Sequence, residues 1–182
     1  MLPTIAAMTT LLHDTAPAGP DRLDTARIDT QLDRHGFATH HVTGDTTRPS
    51  WSHSIGLDRF GHPELVVVGV TAEAGDALIH WVVDLLRGGE RLAVGRDHRH
   101  AFRGVPIRVV PVPEQCWDPS SDLLGACRAG RAGRASAPGP VAALQVVWAD
   151  GDGRFPWEAD FDAGLHDLQP LLAHRWSLWQ RA

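Results

Sequence analysis

The chain has 182 residues, of which 43% are hydrophobic and 21% are charged, a composition typical of one globular domain. Its 22 acidic residues outnumber its 17 basic ones, which argues against nucleic acid as the main partner because phosphate binding needs clustered positive charge. All 17 of those basic residues are arginine, so Schiff-base chemistry by a lysine of this chain is excluded.

The N-terminal residues 1–20 end in TAPAGP and have no basic region followed by a long apolar core. They predict a disordered N-terminal extension rather than a signal peptide, with a single domain over residues 21–182. Because no window approaches about 18 uninterrupted apolar residues, we expect a cytoplasmic protein that does not enter the membrane. Cys116 and Cys127 form neither a CxxC pair nor a zinc ligand set, which indicates reduced thiols.

The first half of the domain predicts a helix followed by three strands. Apolar residues on one face predict a helix from Asp21 to His35, which Gly36 ends. FATHHV and WSHSIGL are expected to be strands, and the period of two places His53 on the buried face, away from Ser52 and Ser54. LVVVGV is apolar at every position, which predicts a strand covered on both faces.

The second half continues with a helix that Thr71 caps and that runs to about Arg87, where two glycines end it. RLAV predicts a short strand, and HAFRGVPIRVVPV predicts one or two strands around a turn at Gly104. Residues 118–128 predict a helix and residues 129–140 a flexible loop. VAALQVVW predicts a further strand, after which ADGDGRFPW forms a turn into a short helix near Leu165 and Leu168.

This order of elements predicts the α+β class: a mainly antiparallel sheet or partial barrel with packed helices, in a single domain. Strands and helices do not alternate regularly, which disfavours a parallel doubly wound sheet.

Three stretches, WSHSIGL with GHPELVVVGV, ALQVVWADGDGRFPW, and LQPLL, resemble the actinobacterial members of DUF4262, a domain of unknown function, over residues 21–172. His53 stands where that family usually has tyrosine, and Ala149 where it usually has proline. The first exchange replaces a phenol by a ring that titrates near neutrality. The resemblance implies no reaction. Matching positions are Ile55, Gly56, Leu57, His62, Pro63, Glu64, Leu65, Gln145, Trp148, Asp150, Gly153, Phe155, Pro156 and Trp157.

The element order is also similar to flavin-binding split barrels, although no basic phosphate-binding cluster supports that analogy. No cofactor is favoured, and a flavin or a transition metal remains the alternative.

Candidate catalytic residues are His53, His62 and Glu64, because histidine exchanges protons near neutrality and a carboxylate can orient it. The structural alternative is that His62 and Glu64 cap and stabilise a turn, while His53 is a core histidine whose ring nitrogens are hydrogen-bonded.

A weaker pattern is RDHRH, in which His98 and His100 would share one face of a strand and could hold a metal with His62 or Glu64. The alternative is a solvated turn. His40 and His41 are adjacent and face opposite ways on a strand, so at most one of them joins a site. DGDGR lacks the later ligands of a calcium loop and predicts a tight turn.

Aromatic residues predict an apolar pocket for a flat organic ligand. The alternative is a core built with tryptophan. The candidate substrate-binding residues are Trp51, Trp148, Asp150, Phe155 and Trp157.

The favoured function is an enzyme acting on a small organic molecule by His/Glu acid–base chemistry, of the kind found in secondary metabolism. The alternative is a non-catalytic binding or interaction module, of an immunity or regulatory type, with structural histidines. An enzyme predicts that His53, His62 and Glu64 converge on a concave pocket. A module predicts dispersed histidines and an exposed apolar patch. An unpaired sheet edge would permit a homo-oligomer.

Overall fold

The structure is a computed structural model that describes residues 24–46, 48–92, 94, 98–113 and 142–173. The predicted N-terminal extension, the helix at 118–128 and the loop at 129–140 lie outside these residues. Within the described ranges, no helix combines the length and the apolar character needed to cross a membrane.

Helices and strands follow the predicted order over most of the described chain, which confirms the α+β class. Helix α1 is Thr25–His35 and helix α2 is Ala72–Arg87. Short 3-10 segments lie at Leu57–Phe60 and Ala163–Leu165. The strands are β1 (Ala38–Val42), β2 (Trp51–Ile55), β3 (Glu64–Val68), β4 (His98–Phe102), β5 (Val105–Pro111) and β6 (Ala143–Trp148).

The strands form one six-stranded sheet in the order β1-β2-β3-β6-β5-β4. Only the β3–β6 pair is parallel, and the other pairs are antiparallel. A mainly antiparallel sheet is therefore confirmed. The alternative of a partial barrel is not formed, because β1 and β4 lie at opposite edges and the sheet does not close. Because the sheet is open, the structure does not support the analogy with split barrels.

Local capping decides where both helices begin and end. The Asp24 carboxylate accepts a hydrogen bond from the Arg27 amide at 3.1 Å, so α1 begins at Thr25 and not at Asp21 as predicted. The hydroxyl of Thr71 accepts a hydrogen bond from the Ala74 amide at 3.2 Å, so Thr71 caps α2 as predicted. Both predicted C-terminal ends are confirmed.

Two other short predictions need correction. Arg91 and Leu92 of RLAV are not in a strand. The expected C-terminal helix is a single 3-10 turn that ends at Leu165, with Leu168 in the turn that follows.

Strand β3 separates two hydrophobic cores. Leu65 and Val67 pack in the cluster that contains the buried face of α2. Val66 and Val68 point the other way and pack in the cluster that contains the apolar residues of α1. The prediction that LVVVGV is covered on both faces is confirmed.

The segment after β6 folds back onto that strand through two buried glutamines. The Gln145 side chain donates to the Pro170 carbonyl at 3.0 Å and accepts from the Leu172 amide at 2.9 Å. Gln169 bonds the backbone N–H and C=O of Trp148 at 2.8 and 2.9 Å. These bonds connect two of the stretches that carry the family resemblance.

Strand β2 is buried at all five positions, so its predicted polar face is not solvated. Ser52 and Ser54 lie on the face against which α2 packs. The approach is close: a Cβ atom at Gly75 of α2 would lie 2.1 Å from the Ser52 hydroxyl oxygen. Gly75 is therefore required by the distance between the helix and the sheet.

We expect Gly75→Ala to lower the free energy of unfolding by about 1–3 kcal/mol, because the added methyl group overpacks the interface with Ser52. The sign is opposite to the roughly 1 kcal/mol gain that alanine brings in an ordinary helix interior. Urea denaturation measures the difference. Gly88→Ala at the end of α2, where a Cβ atom lies 3.3 Å from the Leu85 carbonyl, is the tolerated control. Equal stability of the two variants would contradict the packing argument.

Candidate functional site

Glu64, the first residue of β3, carries a fully buried carboxylate that is saturated by hydrogen bonds. One oxygen, Oε1, accepts from the Gly56 and Leu57 amides at 2.7 and 3.1 Å. The other, Oε2, accepts from the Ser54 hydroxyl at 2.5 Å. Ser54 in turn accepts from the Leu65 amide at 2.8 Å. Glu64 thus joins the end of β2, the following 3-10 segment and the start of β3.

Burial raises the pKa of Glu64 above its usual value, although the hydrogen bonds from Ser54, Gly56 and Leu57 act in the opposite direction. The three donors leave the carboxylate oriented toward the turn, and it makes no hydrogen bond to His53 or His62. N–H and O–H donors on both oxygens also make it unsuitable as a metal ligand. Its observed contacts match the structural alternative.

His53 is fully buried in the middle of β2, as the sequence period predicts. Its Nδ1 lies 3.2 Å from the Ser54 carbonyl oxygen, and its Nε2 lies 3.2 Å from Nδ1 of His40 on β1. Because a carbonyl only accepts, Nδ1 of His53 carries the proton, and Nε2 accepts from His40. The tautomer of the His53 ring is thereby assigned.

Burial is the main reason that the pKa of His53 is lowered to about 3, with further lowering by His40 and His41. Burial therefore favours the neutral form of the His53 ring at physiological pH. Its partner His40 lies directly opposite in the β1–β2 register. His41 faces the other side of the sheet and contacts the Ser52 hydroxyl at 2.9 Å.

His62 lines a concave site, which we call the Phe60 groove. The groove has a cavity volume of about 170 Å³. Its lining residues are Leu57, Phe60, His62, Val83, Leu86 and Arg87. Within the described part of the chain, the His62 imidazole makes no hydrogen bond. Of the three predicted catalytic residues, His62 is the one that lines this groove.

Arg87, the last residue of α2, forms the charged part of the groove wall. Its guanidinium donates to the His35 carbonyl at the end of α1. The guanidinium carbon lies 5.4 Å from the centre of the Phe37 ring and 5.6 Å from that of the Phe60 ring. These cation–π contacts hold the charge beside the groove. The floor is apolar, since Leu57, Val83 and Leu86 are buried.

The predicted aromatic pocket is not formed as one site. Trp51 and Trp148 are 2% and 3% exposed and belong to the two separate cores. The Trp148 indole donates to the Val68 carbonyl at 3.1 Å. For these two residues the structure matches the alternative of a tryptophan-containing core.

In the segment after β6, the rings of Phe155 and Trp157 stack on each other, with their centres 5.2 Å apart and their planes inclined by 6°. Arg108 of β5 lies over both rings, 4.8 Å from Phe155 and 5.3 Å from Trp157. Trp157 is 40% exposed. This stack shares no lining residue with the Phe60 groove.

Asp150 organises the turn that follows β6. Its carboxylate accepts from the amides of Asp152, Arg154 and Asp162 at 2.9, 2.8 and 3.1 Å. The prediction of a tight turn at DGDGR is confirmed, and the carboxylate faces backbone donors instead of a ligand.

His98 and His100 lie on β4, and their side chains are outside the described structure. The β4–β5 pairing shifts register between His98 and Ala101. The described residues contain no group of three or more side chains able to hold a metal ion. The metal site stays a prediction.

Sequence reasoning did not find Phe60 and Arg87, because they belong to separate elements and no local motif links them. The His40–His53 pair was detectable in principle. TGDTTRP marks a turn between two strands, and pairing those strands places the two histidines opposite each other.

Comparison with known proteins gives one match to a family model, described as a domain of unknown function (DUF4262), over residues 31–162. No curated protein and no solved structure matches the chain. The matched region includes the Glu64 network, the His40–His53 pair and every residue that lines the Phe60 groove.

We expect Glu64→Ala to lower the free energy of unfolding by about 3 kcal/mol or more, because it leaves the buried Gly56 and Leu57 amides without an acceptor. Glu64→Gln retains an acceptor oxygen for these amides and should cost about 1 kcal/mol. Urea denaturation at pH 7 compares the two variants. Similar losses in both would show that the charge, not the acceptor geometry, stabilises the turn.

The lowered pKa of His53 predicts a loss of stability as the pH falls from 6.5 toward 3. In that window the unfolded chain binds a proton at this residue and the folded chain does not, so stability rises with pH by up to about 1.4 kcal/mol per unit. Urea denaturation at pH 7, 6 and 5 measures the slope.

The non-titrating variant His53→Gln is the reference for this slope and should show a shallower dependence on pH. The raised pKa of Glu64 has the opposite effect, because the folded chain holds a proton at this residue more tightly than the unfolded chain and stability falls as the pH rises. Glu64 is present in both proteins, so its effect cancels in the comparison. Equal slopes would show that His53 is not the titrating group.

Proposed function

The chain belongs to the DUF4262 family, whose description names no activity, and we propose that this protein binds a small organic molecule in the Phe60 groove. The observation that carries the proposal is the composition of the groove. Buried aliphatic side chains form its floor, and His62 and Arg87 add polar groups at its wall. Apolar walls with a few polar groups are typical of small-molecule sites.

The dispersal of the predicted catalytic set favours binding over acid–base catalysis by His53 and Glu64. His53 is held neutral between Ser54 and His40, and Glu64 is committed to the turn. An interaction module with a broad apolar surface is less well supported. In the described part of the chain, the large exposed hydrophobic residues are Phe60, Val94 and Trp157, and Phe60 and Trp157 belong to different aromatic clusters.

The size of the groove limits the ligand. Its volume of about 170 Å³ is close to that of an engineered apolar cavity, roughly 150 Å³, that binds benzene. A single ring or a short branched chain therefore fits, whereas a dinucleotide cofactor does not. Drug-sized ligands generally occupy pockets of roughly 300 Å³ or more.

A second candidate function is proton transfer to or from the bound molecule by His62. The observation that favours it is an imidazole on the wall of the groove with no hydrogen-bonding partner in the residues described. Incubation with acetophenone in D2O tests it, because abstraction of a methyl proton replaces that signal by deuterium. Exchange in the wild type and loss of exchange in His62→Gln would support catalysis. If the wild type gives no exchange, catalysis by His62 is not supported and the groove only binds this probe.

We expect benzyl alcohol, a neutral single-ring probe, to shift the amide resonances of residues 57–62 and 83–87 in a heteronuclear NMR titration. His62→Trp should abolish these shifts, because the larger ring occupies the groove. His166→Trp, at the residue that follows the 3-10 segment Ala163–Leu165 and does not line the groove, is the matched control and should bind as the wild type does. Shifts confined to other residues, or equal binding by both variants, would overturn the proposal.

A further inference from the structure

We infer that the ligand of the Phe60 groove is a small monocarboxylate with an apolar body, and that Arg87 is the residue that selects its charge. The inference rests on the proposed function, since it assigns a ligand class to the same groove. Three features of the groove carry it: an arginine without an acidic partner, the contacts that hold that arginine, and an apolar floor.

The charge of Arg87 is not neutralised by a carboxylate in the described structure. Its contacts are one backbone carbonyl and two aromatic rings. A guanidinium has five N–H donors and stays protonated at all physiological pH values. One donor is used by His35, so the others are available to a bound anion. The planar fork of donors matches the two oxygens of a carboxylate.

The position of Arg87 is determined before any ligand binds. The His35 carbonyl at the end of α1 holds one side of the guanidinium, and the Phe37 and Phe60 rings lie against it. A long side chain in one conformation loses less entropy when it pairs with a ligand than a mobile one. The fold therefore presents a preorganised positive charge at the wall of the groove.

The apolar floor decides what the rest of the anion must be. Leu57, Val83 and Leu86 are at most 8% exposed, and Phe60, which also lines the groove, is 48% exposed. Inorganic phosphate or acetate would make no use of these surfaces. A dicarboxylate would place a second charge against them without a partner, which is costly. Benzoate has one carboxylate and one apolar ring, so it is the appropriate probe.

The His62 imidazole supplies a second polar contact. It lines the same groove, and a ring N–H can donate to one of the carboxylate lone pairs that the Arg87 fork leaves open. With both carboxylate oxygens facing the Arg87 fork, His62 adds one hydrogen bond to a remaining lone pair, and its replacement by glutamine should weaken benzoate less than the loss of the arginine charge does.

The experiment is an NMR titration of the full chain with benzoate, benzyl alcohol and acetate. Benzoate should bind at the groove at least tenfold more tightly than acetate. Arg87→Gln should weaken benzoate tenfold or more and leave benzyl alcohol within about twofold. Arg91→Gln, an exposed arginine that does not line the groove, is the matched control and should bind both ring probes as the wild type does.

The outcomes separate this inference from the proposed function. If both ring probes bind at the groove and Arg87→Gln weakens neither, the anion inference is overturned and the groove remains a binding site. If acetate binds as tightly as benzoate, the requirement for an apolar body is overturned. If neither ring probe binds in the wild type, the proposed function fails as well.

A second variant guards against loss of the contact between Arg87 and His35. Arg87→Lys keeps a positive charge and should retain benzoate within about tenfold of the wild type. In the unmodified protein, raising the salt concentration from 20 to 500 mM should weaken benzoate and leave benzyl alcohol unchanged, because salt screens only the charged pair. Benzoate affinity that is independent of salt would contradict the role of the guanidinium.

Discussion

The buried carboxylate of Glu64 is the constraint on which the rest of the structure depends. A charge-capable group in the core is costly unless its oxygens are satisfied. Here the donors are the Ser54 hydroxyl in β2, the Gly56 amide that follows this strand and the Leu57 amide that begins the 3-10 segment. The same serine accepts from the amide of Leu65 in β3. The path of the chain between the two central strands is therefore determined by hydrogen bonds and not only by turn propensity.

The Phe60 groove follows from that constraint. Leu57 is held directly by Glu64, and Phe60 lies one turn further along the same 3-10 segment. The opposite wall is α2, whose distance from the sheet is set by the absence of a side chain at Gly75. Both walls belong to elements fixed by buried contacts, so the cavity between them is part of the fold. A preformed site of this kind costs little reorganisation when a ligand enters.

Burial separates the residues that looked alike in sequence. His53 and His62 are both histidines next to the same turn, yet one is fully buried between Ser54 and His40 and the other lines a cavity. Desolvation keeps the first neutral, which makes it a hydrogen-bonding core residue. Only the second is placed where it can meet a ligand. The same distinction applies to Trp148, which is in the core, and Trp157, which is 40% exposed.

The sequence by itself determined the elements whose signals are local. The start of α2 at Thr71 and the ends of both helices depend on caps within a few residues, and the burial of β3 on both faces is readable from its uninterrupted apolar residues. The tertiary structure alone decided the site. Phe60 and Arg87 are distant in sequence and meet because α2 crosses the sheet beside the 3-10 segment, and the three donors of Glu64 converge only after β2 and β3 have paired. Contacts of this kind depend on the packing of separate elements, and periodicity along one element carries no information about them.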